Sequence, residues 1–154
     1  MDRVDVEIID VGLEAIVKFC GFKELLLVKD EIESYIRDSN KSVKLVVRTV
    51  KMPKWLFERF KAVCEMRGTN ISETIRKLVN DVILNHFNKK ISCSDISDCA
   101  RIGNKYVGNL IVVSFKVDKY KWEFFNEVCK LCSEQSSAVL RGMIVKWLGI
   151  ERYD

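Results

Sequence analysis

Proline and histidine occur once each among 154 residues, at Pro53 and His86, and glycine only seven times. The lone histidine has no serine, cysteine or carboxylate motif around it, so histidine-centred catalysis has no constellation to work with. No glycine-rich phosphate loop, nucleophile elbow or metal-protease motif occurs. No apolar run reaches the roughly 20 residues that a membrane span needs. The opening residues, Met1-Asp2-Arg3-Val4-Asp5-Val6-Glu7, are too acidic for a targeting peptide. The expectation is a cytoplasmic protein that is not an enzyme, with no cofactor, membrane or small-molecule substrate.

What is present is a globular balance. Hydrophobic residues make up 48% and charged residues 31%, which argues against a disordered chain and allows one or two compact domains. Charge is unevenly spread. Residues 1–40 carry ten acidic against five basic side chains, a net −5, so the remainder must hold +9 for the whole to reach +4. A basic body behind an acidic head suits contact with a polyanion, because lysine and arginine displace counterions from phosphates.

Six cysteines raise metal and redox chemistry. Cys129-Lys-Leu-Cys132 is formally a C-x-x-C, but a closed tetrahedral site wants four ligands, and Cys93 and Cys99 complete the set only if the chain between 89 and 108 folds back. Cys129 falls instead in a helical apolar stripe, where cysteine behaves as a small hydrophobe. Packing is the preferred reading and no metal site is assigned; a disulfide such as Cys93–Cys99 stays open. Trp55, Trp122 and Trp147 lie at helical spacing with other apolar residues and read as core or subunit contacts.

The chain repeats itself. An offset of 65 residues aligns 46–83 with 111–148 without a gap. Identities include Lys51/Lys116, Lys54/Lys119, Glu58/Glu123, Phe60/Phe125, Val63/Val128, Cys64/Cys129, Ser72/Ser137 and Arg76/Arg141. Each copy begins with a β-rich run, 44–52 and 109–117, in which Val50 and Met52, like Phe115 and Val117, alternate with polar residues. Pro53 suits a first helical turn and Asp118 an N-cap. A first helix follows, with Leu56, Phe60, Val63 and Cys64 matched by Phe125, Val128, Cys129 and Cys132. Gly68 ends it in copy one. Asn70-Ile71-Ser72-Glu73 opens a second helix with a cap and an acid three residues on, while Gln135-Ser136-Ser137-Ala138 is the weaker equivalent.

The layout is thus an acidic segment, 1–42, predicted helical; a first module, 43–88; a connector, 89–108, with at most a short helical turn; and a second module, 109–150. In the first segment, Ile8, Ile9, Leu13, Ile16, Val17 and Cys20 suggest one amphipathic helix, and Leu25, Leu26, Ile32, Tyr35 and Ile36 another.

Arg48–Pro53 and Gly68-Thr-Asn-Ile-Ser-Glu-Thr-Ile-Arg76, echoed by Ser114–Asp118 and Ser136-Ser-Ala-Val-Leu-Arg141, resemble the ribbon-helix-helix (Arc/MetJ-type) DNA-binding family. The tandem form is similar to transcription regulators of crenarchaeal viruses. The resemblance covers about 90 of the 154 residues and implies a mainly α fold with a two-stranded antiparallel β-ribbon, the two modules joined as a pseudo-dimer within one chain. It implies double-stranded DNA as the partner. The ribbon would read bases in the major groove through Val47, Thr49, Lys51, Val112, Ser114 and Lys116. Phosphates would be held by Arg48, by Lys54 and Lys119, and by the helix starts at Asn70, Ile71 and Ser72 and at Gln135, Ser136 and Ser137. Further self-association along DNA stays open, as does an antitoxin-like protein whose N-terminal segment binds a partner.

Overall fold

A computed structural model describes residues 44–105 and 109–150. It is mostly helical with one two-stranded antiparallel sheet. In order come β1 (Leu45–Pro53), α1 (Lys54–Met66), α2 (Ile71–Phe87), α3 (Cys93–Lys105), β2 (Leu110–Asp118), α4 (Lys119–Leu131) and α5 (Ser136–Trp147). The helices expected for 1–42 lie outside the described residues.

Strand alternation sets the sheet's two faces. Val50, Met52, Val113, Phe115 and Val117 are buried, and the residues between them are exposed. The buried side meets α1, α2, α4 and α5 through Leu56, Phe60, Phe125, Ile75, Val79, Leu140 and Ile144. Burying such a side chain contributes about 1.5–3 kcal/mol. The helices interlock between the two halves. Phe60 of α1 packs edge-on to Trp147 of α5, with centroids 5.5 Å apart, and Phe87 of α2 stacks on Phe124 of α4 at 5.6 Å. Arg67 also lies over the Trp147 ring.

Local signals place the helix ends. Pro53 caps α1 from the strand, and the Asp118 carboxylate accepts from the amides of Tyr120 and Lys121 to start α4. Asn70 Oδ1 accepts from Glu73 N at 2.8 Å, whereas Gln135 makes no such bond. Gly68 takes φ +71° after α1, and Ser133, its repeat mate, takes φ +58° after α4. The amide after each returns to a cysteine carbonyl, Thr69 N to Cys64 O and Glu134 N to Cys129 O, both at 2.9 Å.

The connector departs from expectation. It holds α3, a helix of 13 residues, in place of a short turn. Its buried stripe has helical spacing, with the small residues Cys99, Ala100 and Gly103 set beside two isoleucines, Ile96 and Ile102. Smallness is what α3 needs. Gly103 faces the backbone of Ala138 and Gly142, and Gly142 faces that of Cys99, so closely that a methyl at either glycine would overlap main chain.

The cysteines also rearrange. Cys93, the first residue of α3, is bonded to Cys132 at the end of α4, not to Cys99. Cys132 still packs against the edge of the core, and α3 carries Cys93 across to bond it there. Cys64, Cys99 and Cys129 are free and buried, consistent with packing. Trp122 is buried, Trp147 half-buried and Trp55 exposed.

Candidate nucleic-acid interface

The strands set the geometry of the exposed face. Their register pairs Val47 with Lys116, Thr49 with Ser114, and Lys51 with Val112. All six side chains are exposed on the same side of the sheet. Val47 and Val112 remain 57% and 60% accessible although valine ordinarily seeks a core. Leu45 and Leu110 extend the same face at its ends, also exposed. The result is a narrow strip with aliphatic groups, two hydroxyls and two ammonium groups. Such a strip can meet thymine methyls and donate to guanine acceptors.

The helix starts reach the strand edges crosswise. Ser72 Oγ accepts from Lys116 N at 3.0 Å, and Arg76 donates to Lys116 O at 3.0 Å, fixing the first turn of α2 beside β2. Arg141 of α5 donates to Lys51 O on β1 at 2.9 Å. It also donates to Gly103 O and Asn104 Oδ1 of α3 at 3.0 and 3.1 Å. Partial burial in that clamp pushes the Arg141 pKa down from its ordinary value through desolvation. The strands are further tied at their ends, Lys54 N to Asn109 O at 3.0 Å and Lys119 N to Lys44 O at 2.8 Å.

Nothing among protein-family models, curated proteins or solved structures matches this chain.

The residues expected to hold phosphates are placed unevenly. Asn70 is exposed at the start of α2, with Ile71 and Ser72 half-buried behind it. Thr69, Asn70, Ile71 and Ser72 line one side of a depression of about 310 Å³ shared with Lys61 and Glu65. At α5, Gln135 is exposed, Ser137 is half-buried, and Ser136 donates its hydroxyl to Asn126. Lys54 and Lys119 occupy matched positions, each 4.0 Å from the glutamate one turn on, Glu58 and Glu123. Arg48 pairs with Phe115 on the inward parity of β1, is half-buried, and turns its guanidinium to Val47 O at 3.1 Å.

Sequence reasoning passed over Leu45, Leu110 and the two arginines. Strand parity places both leucines on the exposed face. The identity of Arg76 and Arg141 across the repeat was the signal for the clamps.

Proposed function

We propose that this protein is a sequence-specific double-stranded DNA-binding transcription regulator, a tandem ribbon-helix-helix protein whose two modules pair within one chain. A single observation carries the reading: Val47, Thr49, Lys51, Val112, Ser114 and Lys116 share one exposed face of a two-stranded sheet whose other face is core. A two-stranded ribbon fits the major groove, where the base edges carry a distinguishable code. The pairing of modules draws support from the ties that recur at the 65-residue offset, Arg76 to Lys116 and Arg141 to Lys51.

In this mechanism Lys51 and Lys116 donate to guanine, Thr49 and Ser114 donate or accept, and Val47 and Val112 contact thymine methyls. The first turns of α2 and α5 flank the ribbon and offer free backbone N–H groups to the phosphates on either side. Lys54, Lys119 and Arg48 add positive charge along the backbone. No step of bond making or breaking is involved, and the protein is not an enzyme in this reading.

The test is in vitro selection of duplex DNA by the full chain at two salt concentrations. An enriched motif, with affinity that falls steeply as salt rises, supports the proposal. Recovery of no motif, or binding indifferent to salt, overturns it.

A further inference from the structure

Three side chains from three different elements converge where α2, α3 and α4 meet. His86 comes from the last turn of α2, Cys93 from the first turn of α3, and Cys132 from the cap that ends α4. One imidazole nitrogen and the two sulfurs all lie within 4.8 Å of one another. The Cα atoms of the two cysteines are 5.1 Å apart. A disulfide accounts for the two cysteines, but it does not account for His86. That ring is half-buried and has no hydrogen-bond partner among the described residues.

We propose that His86, Cys93 and Cys132 form a binding site for a thiophilic divalent cation of the zinc type when the disulfide is reduced. Imidazole nitrogen and thiolate sulfur are the donors such an ion prefers. With bonds of about 2.0–2.1 Å to nitrogen and about 2.3 Å to sulfur, a tetrahedral ion sets its ligand atoms about 3.5–3.8 Å apart. The present spacing reaches that range once the sulfurs are no longer bonded to each other. Three protein ligands leave the fourth position to water. The close approach of α3 to α5 at Gly103 and Gly142 anchors the helix whose first residue is Cys93 by a contact other than the disulfide.

Disulfide and metal are then exclusive states of the same side chains. Passage between them is balanced by thiol–disulfide exchange with a dithiol reductant. The Cys93–Cys132 bond breaks, each sulfur takes a proton, and the dithiol is oxidised to its own disulfide. Binding of the cation releases the two protons to solvent. This inference is independent of DNA reading.

The experiment uses the full chain, reduced with dithiothreitol, desalted without oxygen and titrated with Co²⁺. One equivalent should bind, giving sulfur-to-cobalt charge-transfer absorption and tetrahedral ligand-field bands, displaced by Zn²⁺. The sulfur bands should be lost in Cys93→Ser and in Cys132→Ser. His86→Gln leaves the disulfide able to form, as intact mass will verify, yet should weaken Co²⁺ binding and shift the ligand-field bands. Absence of sulfur bands in the reduced chain, their survival in either serine variant, or an unchanged titration in His86→Gln overturns the proposal.

Discussion

Thr49 and Ser114 face each other across the two strands, and they are also the same position of the 65-residue repeat. Their neighbours are therefore exchanged in order, Val47 against Lys116 and Lys51 against Val112, so each lysine stands across from the other copy's valine. The exposed face presents the same chemistry read in either direction.

The first prediction concerns those lysines. Lys51→Ala and Lys116→Ala should each relax sequence preference by about 1–3 kcal/mol while lowering non-specific affinity much less. Competition binding between selected and random duplexes measures the split. Equal losses on both DNAs would reassign the lysines to phosphates.

The two halves differ around the strands, which bears on the operator. Arg48 in copy one is matched by buried Val113 in copy two, and Asn70 caps its helix where Gln135 does not. The selected site should be a loose palindrome. Half-sites identical at every base would contradict this.

The arginine clamps should be unequal in strength. Arg141 serves three acceptors, on Lys51, Gly103 and Asn104, and Arg76 serves the Lys116 carbonyl. Arg141→Ala is expected to lower stability by about 2–3 kcal/mol and Arg76→Ala by about 1 kcal/mol. Urea denaturation of the two variants gives the comparison, and indistinguishable midpoints would dismiss the clamp.

Glycine substitutions separate space from conformation. Gly142→Ala and Gly103→Ala should each destabilise by about 3 kcal/mol, since the obstacle is main chain that cannot rotate away. Gly68→Ala meets nothing within 4 Å, and its loss of about 1 kcal/mol should come from the positive φ alone. Thermal melts of the three will rank them.

Alkaline pH should weaken the fold through Cys129. Burial holds this thiol protonated, raising its pKa from 9.0 to about 12. In the unfolded chain the thiol ionises from pH 9 upward while the folded one does not. The unfolded state then binds fewer protons, so stability is full below pH 9 and declines as pH rises towards 12. The slope is about 1.4 kcal/mol per pH unit for one thiol. Denaturation at pH 8, 10 and 11 should show a steeper decline in the parent than in Cys129→Ala. Parallel declines would mean that the thiol does not ionise differentially.

By itself, the sequence determined what depends on periods and on single residues. Alternation in 44–52 and 109–117 marked the strands and their inward sides, because side-chain direction in a strand is a matter of parity. Pro53, Asp118, Gly68 and Asn70 marked the helix ends, because caps act over three or four residues. The offset of 65 residues marked two related units. Tertiary structure alone decided what depends on contact between distant segments. The connector's helix docks on α5 because Gly103 and Gly142 let two backbones meet, and no local pattern within 93–105 relates it to that distant partner. Cys93 met Cys132 because that helix carries it there, and no spacing rule relates residues on separate elements. Arg141 became a three-way clamp for the same reason: its acceptors come from β1 and α3, and only packing brings them to one guanidinium.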